Sequence, residues 1–347
     1  MLIALSSLPQ RARADSRTAS PDMAPQSPSS VLRVRFPVTD ANDIRFSRLS
    51  TAQGLSQSRA ERIVQDNQGF MWFGTQYGLD RYDGYEFRVF THDPARENSL
   101  SCGYVNALFK DRSGALWVGC DYYLDRFDPV TETFTHYQIE PEAPGEVTSP
   151  VTQISQDRTG LLWLSTGEGL YGLNPDTGQI VHYVHDSSNA FSLASNEVKW
   201  TLEDSTGRFW IADGDYVEEF DRSSGRVLLR IRVANAVANA TLHEDHLGVL
   251  WVTYARGTDG SGIAALNPTT NQLIRYSLYE KESGKGIYGG FMTMLEDQKK
   301  TLWFASFGSG LLKFDREHQI LTRYRNHPAD PDSLAEDRVI SLCEDEE

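Results

Sequence analysis

Short runs of alternating or uniformly apolar residues, each bounded by turn residues, dominate the chain from about residue 44 onward. In one representative unit the runs cover residues 105–111, 115–120, 123–128 and 132–137. Runs of four to eight residues with a period of two indicate β-strands, and no unit combines the length and the period of a helix. The pattern therefore predicts four short strands in each unit.

The unit repeats along the chain. An aspartate, a glycine turn and a tryptophan recur at spacings of 45, 46, 47, 41 and 52 residues and place six of the seven tryptophans on one ladder: Trp72, Trp117, Trp163, Trp210, Trp251 and Trp303. Four strands repeated every 46 residues or so are typical of a β-propeller with one blade per repeat. We therefore predict an all-β propeller over residues 44–347, with six complete blades and a partial seventh that begins near residue 337.

The repeated residues have a mechanical explanation. An aspartate that opens a turn accepts hydrogen bonds from backbone N–H groups ahead of it, and a glycine at the end of the turn adopts a positive φ without a steric clash. Asp111 and Gly114 would then close the first hairpin of a blade, and Trp117 would bury its ring between blades. A calcium loop is the alternative, but the D-x-x-G spacing lacks the alternating oxygen ligands of such a loop.

Composition narrows the function. The chain has 347 residues, of which 39% are hydrophobic, and its net charge of −15 argues against nucleic acid or an anionic membrane as a partner. The three cysteines are an odd number without C-x-x-C spacing, so they suggest neither a disulfide framework nor a zinc site, and we expect them to fill space. No cofactor or metal is expected.

The N-terminal 43 residues differ from the rest. An apolar start leads to an A-x-A cleavage pattern at residues 12–14, which predicts a truncated signal-like segment, and Ser, Pro, Ala and Asp predominate from residue 15 onward. We interpret residues 1–43 as that segment followed by a disordered linker. Residues 44–50 alternate as a strand does, and we expect them to be the fourth strand of the seventh blade, across a weak seam.

The run IVQDNQGFMWFGTQYGLDRYDGYEFRVF at residues 63–90, with its lead-in at 46–58, resembles the two-component regulator propeller repeats of bacterial periplasmic sensors. The resemblance implies the N-terminal sensor part of a hybrid or sensor histidine kinase, in a family several of whose members sense carbohydrate fragments. It also implies a periplasmic location, a kinase module of the same parent chain as partner, and homodimerisation through that parent. Lys300 in place of the turn glycine and the run at 120–126 depart from the family pattern.

The strand order predicts where a ligand binds. Loops between the second and third strands and loops between blades share one face, and the longest loops collect there. We expect a carbohydrate or another small molecule at the mouth of the central channel on this face. Candidate ligand-binding residues, on or beside the loops between second and third strands, are Tyr77, Asp121, Tyr122, Tyr123, Glu168, Asp213, Tyr216, Arg256 and Phe307.

Three other functions were weighed. A glycoside hydrolase or lyase on a propeller would need paired carboxylates such as Asp121 and Asp213 within reach of each other, and the sequence does not bring them together. A propeller that docks another protein is the second. A zinc site at His243 and His246 is the third, but the pair is one residue short of the H-E-x-x-H pattern and lies on a strand and a turn. We therefore predict a non-catalytic sensor.

Overall fold

The structure is a computed structural model that describes residues 30–139, 149–233, 237–256, 262–287 and 290–345. Within these ranges the chain is built of strands, apart from one 3-10 turn at Thr51–Gln53. The first strand is β1 (Ser30–Asp40), and the first blade follows with β2 (Ala60–Gln65), β3 (Met71–Thr75), β4 (Gly78–Tyr82) and β5 (Phe87–Phe90). The second blade comprises β6 (Ala107–Lys110), β7 (Leu116–Gly119), β8 (Tyr123–Asp128) and β9 (Thr133–Gln138).

Four further blades have the same plan. The third contains β10 (Gln153–Gln156), β11 (Leu162–Ser165), β12 (Leu170–Leu173) and β13 (Ile180–Tyr183), and the fourth contains β14 (Val198–Glu203), β15 (Phe209–Asp213), β16 (Tyr216–Asp221) and β17 (Arg226–Arg232). The fifth contains β18 (Val237–Glu244), β19 (Leu250–Arg256), β20 (Gly262–Asn267) and β21 (Gln272–Glu280). The sixth contains β22 (Gly290–Glu296), β23 (Leu302–Phe307), β24 (Gly310–Asp315) and β25 (Ile320–Tyr324).

In each blade the strands are antiparallel and pair in chain order; the first four blades are separate four-stranded sheets, and β1 joins the fifth and sixth into one nine-stranded sheet. The first strands of successive blades lie next to one another, from β2 through β6, β10, β14 and β18 to β22, and so surround a central channel. The predicted propeller with six four-stranded blades is confirmed. In the second blade the predicted third strand has the observed bounds, and the other three agree within two residues.

One hydrogen bond recurs in every blade. The repeated aspartate accepts from the indole N–H of the tryptophan six residues later, over 2.6 to 2.9 Å in all six copies. The other carboxylate oxygen of Asp111 accepts from the backbone N–H groups of Ser113 and Ala115. Burial opposes ionisation of Asp111, yet these hydrogen bonds lower the pKa of its carboxyl. One side chain thus closes the hairpin turn and fixes the tryptophan.

The tryptophan rings pack between blades. Trp72 lies edge-on to Phe127 of the second blade, with ring centroids 4.8 Å apart, and Trp163 lies at the same distance from Phe209 of the fourth. The rings of the first five ladder tryptophans are at most 5% exposed. Since a four-stranded sheet is too thin to form a core by itself, these contacts supply the core that joins neighbouring blades.

A chain of hydrogen bonds links the blades on the face opposite the predicted ligand face. The backbone N–H that follows the repeated aspartate donates to the side chain that precedes the aspartate of the next blade. The pairs are Arg112 with Gln156, Arg158 with Glu203, Ser205 with Glu244, His246 with Glu296, and Gln298 with Glu344. The last pair reaches the seventh repeat, so residues 337–345 occupy the position of the first strand of a seventh blade, joined by a bridge between Phe307 and Arg338.

The N-terminal region corrects two predictions. Ser30–Asp40 forms β1, which pairs in parallel with β21 and β25, so the predicted linker is wrong for these residues. Residues 44–50 form no strand, contrary to the prediction, although the Phe46 N–H donates to the Asp332 carbonyl over 2.8 Å. The edges of β21 and β25 offer unpaired backbone groups, and β1 satisfies them while burying Phe36. Residues 1–29 of the predicted segment lie outside the described residues.

Substituting the repeated aspartate tests the Asp–Trp hydrogen bond. We expect Asp111→Ala to lower the free energy of unfolding by about 3 kcal/mol, because it leaves the buried indole N–H of Trp117 and two turn amides without acceptors. Chemical denaturation followed by circular dichroism measures this. Asp128→Ala removes an aspartate from an exposed turn and serves as the control, with a much smaller loss. Equal effects of the two variants would refute the proposed role of the hydrogen bond.

Lys300 offers a stabilising substitution. It adopts a φ of 65° at the turn position that glycine occupies in the other five blades, where φ lies between 76° and 94°. We expect Lys300→Gly to raise the free energy of unfolding by about 1 kcal/mol, because a left-handed backbone is costly for a residue with a Cβ. The reverse change, Gly160→Ala, places its Cβ in open space and should cost a similar amount. Thermal unfolding of both variants measures the effect, and a destabilised Lys300→Gly would contradict it.

Candidate functional site

A cavity of about 630 Å³ opens into the central channel on the predicted ligand face. Its walls come mainly from the first strands of the blades and from the residues just before them, rather than from loops between second and third strands. The lining residues are Glu61, Arg62, Tyr104, Asn106, Ser149, Thr152, Gly167, Glu168, Glu197, Val198, Lys199, Trp200, Asn239 and Met292.

Irregularities in the first strands supply several of these side chains. The pairing register shifts between Ala60 and Arg62 in β2 and between Val198 and Trp200 in β14. The register of β22 shifts at the corresponding place, and that of β18 shifts two residues nearer the start of the strand. Such a bulge places an extra residue on one strand and redirects its side chains. Glu61 and Lys199 are the extra residues in β2 and β14, and both line the cavity.

Arg62 crosses the channel. Its guanidinium donates to the backbone carbonyl of Thr152 in the third blade over 3.0 Å and to that of Glu61 over 2.8 Å. Burial lowers the pKa of Arg62, and the charge of Glu61 only partly opposes this effect. The cavity therefore contains a desolvated cation.

Other polar groups are paired across the mouth. The Tyr104 hydroxyl donates to Glu61 over 2.9 Å, and Arg59 lies 2.6 Å from the same carboxylate oxygen. Lys199 lies 3.0 Å from Glu197. Trp200 is half-buried and is the seventh tryptophan, the one outside the repeat ladder. The arrangement combines an aromatic surface with hydrogen-bonding groups of both charges.

Buried carboxylates hold the loops that surround this mouth. The Ser56, Ser101 and Ser195 amides donate respectively to Asp80, Asp125 and Asp213, over 3.2, 2.7 and 2.8 Å. Burial, reinforced by the neighbouring carboxylate of Glu218, raises the pKa of Asp213 well above its usual value. Each of these hydrogen bonds joins a loop at the mouth to a buried carboxylate of a blade and so fixes the position of the loop.

The long interblade loops are built alike. Ser99 accepts from the Asp93 N–H while its hydroxyl donates to the Asp93 carbonyl, and Ser192 makes the same pair of bonds with Asp186. Ser333 repeats the arrangement with His327. Three of the loops expected to bind a ligand are therefore compact, internally bonded connections. Residues 140–148 of another predicted loop lie outside the described residues.

Among the candidate residues with described side chains, Glu168 alone lines the cavity. Tyr77 is 66% exposed in the turn between β3 and β4. Asp121 and Tyr122 are half-buried between β7 and β8, and burial raises the pKa of Asp121. The carbonyl of Tyr122 accepts from the Ile139 N–H over 2.8 Å.

The remaining candidates are spread over several blades. Asp213 is fully buried, and Tyr216 lies beneath the guanidinium groups of two arginines of β17 at 5.9 Å from each. Tyr123 packs edge-on to the ring of a histidine on β9. Phe307 ends β23 beside the seventh-repeat segment, where the Arg338 guanidinium is 5.6 Å from its ring centroid. The side chain of Arg256 lies outside the described part of the chain.

The cavity residues of the bulged first strands are not among the candidates predicted from the sequence. Trp200 carried a signal, because it is out of step with the other six tryptophans. In the structure it lines the cavity and also packs against the hydrophobic cluster between the fourth and fifth blades. No signal of that kind marks Arg62 or Lys199, because the bulges that direct them are a property of strand pairing.

A family model described as two-component regulator propeller matches residues 54–77 and 99–122. Each match begins in the loop before a blade and runs through its first two strands. The first two blades therefore each contain one segment that matches this repeat model. The predicted resemblance is thereby confirmed, and these propeller repeats contribute Glu61, Arg62 and Tyr104 to the cavity.

Known proteins are similar over parts of the chain. Histidine kinase P4 of Formosa agariphila is 33% identical over 72 residues, which are 21% of this chain and 5% of that protein. The extracellular domain assigned to the hybrid two-component system BT3049 of B. thetaiotaomicron superposes with a TM-score of 0.68 at 22% identity. That match covers 85% of this chain and 38% of the other.

A third similar structure is PorZ, a surface component of the type-IX secretion system of Porphyromonas gingivalis. It has a TM-score of 0.59 at 14% identity, and the match covers 84% of this chain and 45% of PorZ. At these identities the likenesses to solved structures show the propeller fold. Within the described residues, no helix has the length and apolar character needed to span a membrane.

The cysteines correct a further prediction. Cys102 and Cys120 form a disulfide, with Cα atoms 5.7 Å apart, instead of merely filling space, and Cys343 is free. The expectation failed because an interblade loop returns Cys102 to the end of β7, which spacing alone did not indicate. The disulfide links the loop before β6 to the end of β7 in the same blade.

Reduction of this disulfide should destabilise the protein. The bond closes a loop with a sequence separation of 18, for which the chain-entropy model gives about 3 kcal/mol. We expect a reductant, or the Cys102→Ser variant, to lower the unfolding midpoint in chemical denaturation. Cys343→Ser, which removes the free thiol, is the control and should leave the midpoint unchanged. Labelling of all three thiols in the unfolded, unreduced protein would contradict the pairing.

Proposed function

We propose that the chain is the ligand-sensing propeller of an extracytoplasmic two-component receptor and binds a carbohydrate or another small polar molecule in the channel cavity. The propeller repeats and the partial likeness to a histidine kinase support the receptor context. The disulfide supports the location, because such bonds persist in oxidising compartments outside the cytoplasm. A kinase module of the same parent chain is the proposed partner, with homodimerisation through that parent.

The observation that carries the proposal is Trp200 in the wall of the cavity, among charged and amide groups. A sugar ring presents an apolar face that packs on an aromatic side chain, while its hydroxyls need hydrogen-bond partners around the edge. Asn106 and Asn239 add side-chain amides to the lining, whose NH2 groups donate to the Tyr104 and Phe291 carbonyls and whose oxygens can accept from a ligand hydroxyl. The cavity combines these two requirements in one place.

The proposal includes a non-catalytic role for this chain. Two of the cavity carboxylates are engaged in ion pairs, Glu61 with Arg59 and Glu197 with Lys199. A pair of carboxylates used for glycoside hydrolysis needs separate environments, with one held protonated and the other ionised. The buried Asp213 accepts from a loop amide and is fully enclosed, so it serves the scaffold.

Calorimetric titration of the whole chain with a panel of oligosaccharides tests the function. We expect saturable, reversible binding of at least one member and a loss of at least tenfold in affinity for Trp200→Ala. Tyr85→Ala, which removes a 92% exposed aromatic from a turn on the opposite face, is the matched control and should bind normally. Release of new reducing ends would instead support the hydrolase alternative, and no binding by any member would overturn the proposed function.

A further inference from the structure

We infer that the channel cavity selects a sugar bearing an anionic group, a carboxylate or a sulfate, with Arg62 and Lys199 as its anchors and Trp200 as the platform for the ring. The inference rests on the proposed function and specifies its ligand. The chain as a whole has a net charge of −15, so any preference for an anion must come from this local arrangement.

Lys199 lies deeper in the cavity than the two carboxylates at the rim, Glu197 and Glu168. The Lys199 side chain is 25% exposed, whereas its partner Glu197 is 63% exposed and Glu168 is also exposed at the rim. A carboxylate in water is well screened and repels a ligand weakly, while a cation removed from water interacts more strongly. The interior also contains the Glu61 carboxylate, which is 10% exposed and is paired with Arg59, so the two cations Arg62 and Lys199 outnumber the single interior carboxylate that a bound ligand meets.

Arg62 is the stronger anchor. Its hydrogen bonds to Thr152 and Glu61 go to backbone carbonyls, which are neutral acceptors. The Glu61 carboxylate is shared between Arg59 and Tyr104, and its compensation of the buried guanidinium is incomplete, as the lowered pKa of Arg62 indicates. An anion from the ligand would complete the compensation, and a guanidinium matches the planar geometry of a carboxylate.

Lys199 and Trp200 are consecutive residues of β14, and the bulge there directs both toward the cavity. In a regular strand consecutive side chains point to opposite faces. The bulge thus places a cation and an aromatic surface side by side, which fits a sugar ring whose charged substituent lies at its edge.

The test compares oligosaccharides that share the same sugar backbone and differ only in the substituent at C6 of their rings. Calorimetric titrations of the full chain would compare trigalacturonate, a galactotriose 6-sulfate and neutral galactotriose, with corresponding uronate and neutral members built on glucose and mannose. We expect at least one anionic member to bind at least tenfold more tightly than its neutral match, with the advantage reduced by 0.5 M NaCl. The carboxylate and sulfate arms distinguish the two sources of charge.

Variants test whether the preference for anionic members depends on Arg62 and Lys199. Lys199→Gln should reduce the anionic advantage at least threefold and Arg62→Gln should abolish it, both with little change for neutral members. Arg88→Gln on the outer strand of the first blade changes the net charge equally and is the matched control. If Arg62→Gln fails to fold, the wild-type comparison and Lys199→Gln still decide the matter.

The outcomes separate the two proposals. Binding of neutral members as tightly as anionic ones refutes the anionic ligand and leaves the proposed function intact. An anionic advantage that Arg88→Gln reduces as much as Lys199→Gln also refutes it, because the attraction would then be general. If no member of any pair binds, the proposed function fails as well.

Discussion

The hydrogen bond from a tryptophan indole to an aspartate six residues earlier is the interaction on which the rest of the structure depends. One carboxylate oxygen closes the first hairpin of the blade, and the other holds a large ring against the next blade. A thin sheet has no interior of its own, so stability has to come from contacts between blades. Because this hydrogen bond is repeated in six blades, each hairpin turn also positions a ring that packs between neighbouring blades. Asp111 and Trp117 illustrate the repeated unit.

The two ends of the channel have different roles because the strands alternate in direction. On one face the hairpin turns meet in a belt of backbone and side-chain bonds that extends to Glu344. On the other face buried carboxylates such as Asp80 and Asp125 hold the loops between blades. The belt and the loops lie at the two ends of the channel, and the first strands line the channel between them. The cavity is formed there, around Trp200.

The regular pairing of the strands is interrupted at the cavity. Bulges in four of the six first strands break the regular alternation, and those in β2 and β14 direct Glu61 and Lys199 into the channel. Arg62 loses hydration to cross from the first blade to the third. Such local costs are tolerated at binding sites because the surrounding fold is stable enough to hold them. This contrast between regular blades and irregular inner strands is the structural basis for placing ligand recognition in the channel.

By itself, the sequence determined the blade count, the strand pattern and the hairpin turns, because these depend on residues close in the chain, such as Asp111 and Gly114. It also determined the face on which a ligand is expected. Tertiary structure decided the rest: the cavity lining, the pairing of Cys102 with Cys120, and the place of β1 between two outer strands. These features join segments distant in sequence, as when Arg62 meets a carbonyl ninety residues away. Local periodicity does not predict such long-range contacts, because only closure of the ring brings the segments together.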